Sequence, residues 1–277
     1  MRRIKSHSLQ KLQYFKKYVD AYLLATKKMP RKYFIDAFAG TGKCILCGAK
    51  CKGRGGSRCV KCGNGKVIDG SALIVAKTKN VFSGYIFIEI GKKNIDLLKR
   101  FIGEEVSEDR KGRISIEKND ANKLSEIIHE HIPGQAGCLI FLDPEGPELF
   151  WETLTNLSKI KKVELLILYP YDMSLVRLTT GYKEKLNRFY GSEKWTEQYE
   201  AGRNAEERKE ILLNYYLNNL KSLGFEYVVC KQVRRKIREG KALYHLILAS
   251  HHPVGEKIMR QIFDKELDGQ IKMKLKF

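Results

Sequence analysis

Two apolar runs each end in an acidic residue followed by small residues: YFIDAFAGTG at 33–42 and CLIFLDPEGP at 138–147. A buried parallel strand reads as a continuous apolar run, and in open α/β sheets ligands bind just beyond the strands' carboxyl ends, where these acids and glycines fall. In the first run Asp36 closes the strand, Phe38 sits in the turn, and Gly40 and Gly42 let the backbone bend sharply and approach a ligand. Glu89 ends a second run, YIFIE, where an acid can accept hydrogen bonds from both ribose hydroxyls of a nucleoside cofactor. Asp120, in KNDAN, is placed to accept from an adenine amine, with the backbone of Ala121 beside it. Acids at four successive strand ends, Asp36, Glu89, Asp120 and Asp143, would ring the crevice where strand order reverses. The cofactor this set predicts is S-adenosylmethionine (SAM). A magnesium-nucleotide loop fails on the same residues, because Ala37 replaces the first glycine and Cys44 stands where Ser or Thr would hold the metal.

Asp143, Pro144 and Glu145 are the candidate catalytic segment. An exocyclic amine is a poor nucleophile because its lone pair is delocalised into the ring; acceptors on both N–H bonds turn that lone pair toward an electrophilic methyl group. A carboxylate with a nearby backbone carbonyl does this. Amino-methyltransferases usually carry Asp/Asn-Pro-Pro followed by a stacking aromatic, whereas Glu145 and Gly146 follow Pro144 here. Two other roles are open to the same residues: Asp143 as the cap of a helix starting near Glu148, or Asp143 and Glu145 as metal ligands in a nucleic-acid-processing enzyme.

A third constellation is CILCGAKCKGRGGSRCVKCGNG at 44–65, where Cys44-x2-Cys47 and Cys59-x2-Cys62 are separated by eleven residues. Glycine follows each pair, which suits a tight knuckle whose amides turn toward thiolates, so Cys44, Cys47, Cys59 and Cys62 are expected to hold tetrahedral Zn2+. Cys51 is a fifth cysteine, which leaves an iron–sulfur cluster as an alternative. From Lys43 to Lys66 there are seven basic residues and no acid, so positive charge surrounds the tetrathiolate centre and its surplus faces outward. With few apolar residues, such a segment would draw its folding energy from the metal.

These residues must be held by a scaffold. Leu12, Phe15, Val19, Tyr22 and Leu23 recur at helical spacing between Leu9 and Lys27, with lysines expected on the opposite face. Strands are expected at 33–38, 85–89, 114–118, 138–143, 163–169, 225–233 and 243–249, with helices at 71–79, 93–102, 122–130, 148–160 and 204–222 and a last one after Pro253. The fold class is therefore α/β: a Rossmann-like sheet of seven mostly parallel strands, in the arrangement associated with class I SAM methyltransferases. At 277 residues the chain reads as one domain, carrying the cysteine insertion at 44–65 and a polar stretch at 172–203 that is a substrate-side cap or a surface helix pair.

A formal charge of +20 creates a field that attracts polyanions, so nucleic acid is the expected partner class. Charges run through the first residues where a signal peptide would be apolar, and no stretch approaches the ~20 apolar residues that span a bilayer. A soluble, cytoplasmic protein is expected.

The ordered set DAFAGTG, VIDGSALIVA (67–76), YIFIE, NDAN, LIFLDPEG, FYG…W (189–195) and YHLILASHHPVG (244–255) resembles the three-Cys-motif partner protein family. That resemblance runs from about residue 9 to 260 and skips the cysteine insertion, so the zinc expectation rests on spacing alone. It implies a methyltransferase-like fold and a neighbouring radical-SAM-type partner that carries the three-Cys motif. It also leaves open a non-catalytic protein that keeps the methyltransferase shape and serves that partner. Family members usually have an aromatic where Glu145 stands, and the Asp-Pro-x-Gly-Pro segment is similar to one in tRNA guanine-N2 methyltransferases.

Overall fold

All seven expected strands form, within two residues of their anticipated bounds; apolar residues run unbroken through 138–142 and 85–88 and are mixed with polar ones at 114–117 and 227–234. The computed structural model describes residues 1–4, 6–47, 65–171, 182–234 and 242–264. In chain order the elements are β1 (Arg2–Ile4), α1 (Ser6–Ala25), β2 (Lys32–Asp36), β3 (Lys43–Leu46), β4 (Lys66–Asp69), α2 (Ser71–Ala76), β5 (Gly84–Ile88), α3 (Lys92–Glu105), α4 (Glu108–Lys111) and β6 (Ile114–Glu117). A 3₁₀ turn (Ala121–Lys123) leads into α5 (Leu124–His131), β7 (Gly137–Leu142), α6 (Trp151–Ser158), β8 (Val163–Tyr169), α7 (Lys183–Tyr190), α8 (Trp195–Glu200), α9 (Ala205–Ser222), β9 (Tyr227–Arg234), β10 (Ala242–Ser250) and α10 (Pro253–Asp264).

The main sheet has the order β6-β5-β2-β7-β8-β10-β9. Its first five strands are parallel, and β10 runs antiparallel to both β8 and β9. Strand order reverses at β2, so the carboxyl ends of β5, β2 and β7 flank the point where such sheets bind ligands. Side chains alternate across the sheet. Ile35, Ile140 and Ile167 join one apolar layer with α5, α6, α7 and α9, while Phe34, Phe141 and Leu166 join the other with α1, α2, α3 and α10.

Within the stretch expected as a cap or helix pair, residues 182–203 contain α7 and α8, and residues 172–181 lie outside the described residues. Leu186, Phe189, Tyr190 and Trp195 from this pair are buried in the first layer. Phe189 stacks on Tyr216 of α9 with centroids 5.2 Å apart, and the Tyr190 and Tyr169 hydroxyls share a 2.8 Å hydrogen bond. This pair therefore continues the core.

A second, three-stranded sheet was not legible in the sequence. β1 runs parallel to β3, with Arg2 opposite Cys44 and Ile4 opposite Leu46, and β4 closes it antiparallel. Segment 48–64 thus departs from and returns to paired strands, and is itself outside the described residues. Lys43 and Lys77 alternate with Asp69 and Glu105 at the root of this sheet, tying β3 and β4 to the end of α3; Lys77 Nζ lies 2.9 Å from Asp69 and 2.5 Å from Glu105.

Candidate active site

The turn after β2 has the geometry its glycines imply. Gly40 and Gly42 have φ of 61° and 77°, in the left-handed region that side chains disfavour. Gly42 is also sterically committed: a Cβ there would lie 2.8 Å from Leu98 Cδ1, and its carbonyl accepts a 2.7 Å hydrogen bond from the Gly70 amide.

Beyond the ends of β2, β5 and β6 lies a cleft of about 310 Å³, lined by Phe38, Glu89, Ile90, Asp120, Ala121, Phe150 and Lys185 among others. It gathers four of the sequence-derived candidates, Phe38, Glu89, Asp120 and Ala121, in one cavity. Glu89 is held by one oxygen: Oε1 accepts from the Gly91 amide at 2.7 Å and from Asn94 Nδ2 at 3.2 Å. Asp120 is likewise fixed through Oδ1, which accepts from the Asn122 amide at 2.9 Å and from Asn122 Nδ2 at 3.0 Å. Ile90 is 69% exposed, an apolar surface on the cleft wall.

Sequence reasoning missed Asn122 and Phe150. Asn122 Nδ2 donates to the Glu148 carbonyl at 2.9 Å, and its Oδ1 accepts from the Phe150 amide at 2.8 Å and from Thr153 Oγ1 at 3.0 Å. This corrects the capping alternative for Asp143: α6 begins at Trp151, beyond the expected Glu148, and the acceptor for its leading Phe150 amide is Asn122.

Asp36 and Asp143 form a separate group outside that cleft lining, with Lys11 of α1 between helix and sheet. The Lys11 ammonium makes a short ion pair with Asp143 Oδ2, where the two side chains are 11% and 17% exposed. This corrects the expectation that the lysines of α1 occupy its outer face, since Lys11 is 9% exposed and shares a helical stripe with buried Phe15, Tyr18 and Tyr22. The spacing 11-15-18-22 was the available signal, and it was obscured because lysine is rarely buried. Tyr244 of β10 stands close by: burial first, and the Asp143 carboxylate second, push its phenol above the usual range. Pro144 is buried and Glu145 is exposed.

Asp36 is fully buried. Its Oδ1 accepts from the Phe38 amide at 3.2 Å, whereas Oδ2 has no partner within hydrogen-bond distance among the described residues. Burial raises its acid from 3.8 to about 7, with the Asp143 carboxylate adding to the rise and the Ser71 hydroxyl, Phe38 amide and Lys11 ammonium opposing it. An acid with a raised folded pKa keeps a proton that the unfolded chain has lost, so this contribution to stability is full below about pH 4 and is lost as pH rises toward 7. Chemical denaturation should therefore give Asp36→Asn a flatter pH dependence than the wild type between pH 4 and 7, by on the order of 4 kcal/mol over the whole span. Parallel curves for the two proteins would refute the assignment.

Of the zinc candidates, Cys44 lies in β3 and is half-buried, Cys47 follows it and is buried, and Cys59 and Cys62 lie outside the described residues. No group of three or more metal-ligating side chains occurs among the described residues. No described helix is long and apolar enough to cross a membrane.

This strand order defines a Rossmann-like α/β protein with a cleft at the carboxyl edge of its seven-stranded sheet. The same fold is seen in a crystal structure of LPL1258 from Legionella pneumophila str. Philadelphia 1, described under the family model DUF519, at 12% identity and a TM-score of 0.53 over 91% of this chain and 90% of that one. Weaker likenesses are to the METTL16 MTase domain (11% identity, TM-score 0.46, 87% and 68% of the chains) and to Trm1 from Pyrococcus horikoshii in complex with SAM (14%, 0.41, 88% and 57%). No protein-family model matches the chain, and no curated protein matches it significantly in sequence.

Proposed function

We propose that this protein is a SAM-dependent methyltransferase acting on an amine of a nucleic acid. The observation that carries the reading is the single cleft joining Phe38, Glu89, Asp120 and Ala121 at adjacent strand ends. The residues fit the cofactor on three counts. Glu89 Oε2 makes no hydrogen bond among the described residues and suits ribose hydroxyls; exposed Ile90 offers an apolar face to a purine; and the orphaned, buried Asp36 Oδ2 is an acceptor that an ammonium group would satisfy. When bound, SAM supplies an electrophilic methyl group on its sulfonium. Asp120 and the Ala121 backbone would meet the adenine, Gly40 and Gly42 would let the backbone approach, and Asp143, with the backbone of the Pro144–Glu145 segment, would orient the acceptor amine. Calorimetric titration should find saturable SAM binding to the wild type, and no heat at millimolar SAM would overturn the reading.

The net charge of +20 supports a polyanionic substrate. The Lys11–Asp143 ion pair favours a second reading, in which the methyltransferase shape serves a three-Cys-motif partner without catalysis. Tight complex formation with such a neighbour, together with no methyl transfer to RNA, DNA or protein, would select it. The metal-dependent alternative needs carboxylates free to share a cation around Asp143 and Glu145, and the pairing of Asp143 with Lys11 counts against it.

Zinc is proposed on cysteine spacing, with Cys44, Cys47, Cys59 and Cys62 as ligands in a knuckle that helps grip polyanionic substrate beside the cofactor cleft. Elemental analysis of protein purified without chelator is expected to find near-stoichiometric zinc. Its absence would remove the metal.

A further inference from the structure

Beside the cofactor cleft lies a second cavity of about 410 Å³, lined by Phe150, Tyr182, Glu184, Lys185 and Arg188. The two cavities share Phe150 and Lys185 in their walls, so the second adjoins the first. Its position and chemistry are specific. The Phe150 backbone amide donates a hydrogen bond to Asn122 Oδ1, and the Arg188 guanidinium lies 3.5 Å above the Phe150 ring. Tyr182 is 50% exposed on the same cavity.

Lys183 Nζ lies 3.5 Å from Glu193 and Lys209 Nζ lies 3.1 Å from Glu206, whereas Lys185 and Arg188 make no ion pair among the described residues. Among the described residues of the lining, Glu184 is the one acid beside the two cations. Aromatic faces next to unneutralised cations match a nucleotide: the base stacks, and the phosphate takes the charge.

We propose that this cavity binds one nucleotide of the single-stranded nucleic acid substrate, with its base against Tyr182 and the Arg188–Phe150 stack and its phosphate on Lys185 and Arg188. The proposal rests on the methyltransferase reading for the identity of the adjoining ligand, and its test separates the two. Tyr182→Ala and Arg188→Glu change residues that line the second cavity and not the cofactor cleft.

The probes are mixed-sequence 12-nucleotide RNA and DNA strands of the same sequence, read by fluorescence anisotropy at two salt concentrations, with SAM titrated separately by calorimetry. The double variant is expected to lose roughly tenfold or more in affinity for one or both strands and to show a shallower salt dependence. SAM affinity should stay at the wild-type value. Preference between RNA and DNA identifies the substrate strand. Unchanged strand binding in the variant would overturn the pocket and leave the cofactor reading intact, as would a wild type that binds SAM and neither strand. A wild type that binds no SAM but loses strand affinity on substitution would support the pocket and sink the cofactor reading.

Discussion

Asp143→Asn is expected to slow methyl transfer by on the order of 10²–10³-fold while leaving SAM affinity at its wild-type value. The carboxylate follows β7 directly, and Lys11 holds its Oδ2, leaving Oδ1 to accept an N–H bond from the substrate amine. Asparagine retains the size but presents a carbonyl of lower charge and an amide that repels an N–H donor. Lys11→Met is the informative companion. Removing the ammonium leaves Asp143 without its partner beside the buried Asp36, and the carboxylate loses the contact that fixes its rotamer. Lys11→Met should therefore lower kcat and shift the pH profile of the reaction, with SAM binding retained. Tritiated methyl incorporation into bulk RNA and DNA measures both variants. Full activity in Asp143→Asn would remove this residue from the chemistry.

Glu89→Ala should weaken SAM by about two orders of magnitude, since two hydrogen bonds from ribose hydroxyls to a carboxylate contribute roughly 1.5–3 kcal/mol each and some of that loss is recovered by water. The same side chain also organises the turn into α3 through the Gly91 amide and Asn94, so lost affinity needs a structural control. Glu89→Gln supplies it. The glutamine carbonyl still accepts from Gly91 and Asn94, while the cleft-facing carboxylate oxygen is replaced by an uncharged amide nitrogen that donates. An intermediate affinity for Glu89→Gln with an unchanged melting temperature assigns the effect to the ribose contact; equal affinity in all three proteins would eliminate Glu89 from the cofactor site.

The central strands β5 and β7 were legible because each is an uninterrupted apolar run, and the acids because strand ends are where such runs stop. Glu89 and Asp120 could therefore be placed in a common crevice before any coordinates. Contacts that depend on distant pairing were not legible. Lys11 and Asp143 are 132 positions apart, and nothing in α1 taken alone indicates which carboxylate a buried lysine would meet. Asn122 and Phe150 were hidden for a related reason: an asparagine after a strand reads as ordinary turn chemistry, and its role appears only when β6 and α6 are side by side. The small sheet escaped notice because β1, β3 and β4 have three or four residues each, too few for alternation to rise above chance.

A single residue separates β1 from α1, so one short stretch of chain ends at Cys44 and Cys47 on one side and at Asp143 on the other. The strand pairing at the root of the insertion and the ion pair at the sheet are thereby carried by one continuous stretch of chain. Loosening the grip on Ile4, by clipping the strand away, is expected to reach Lys11 within two turns of helix and change how firmly the Asp143 carboxylate is held.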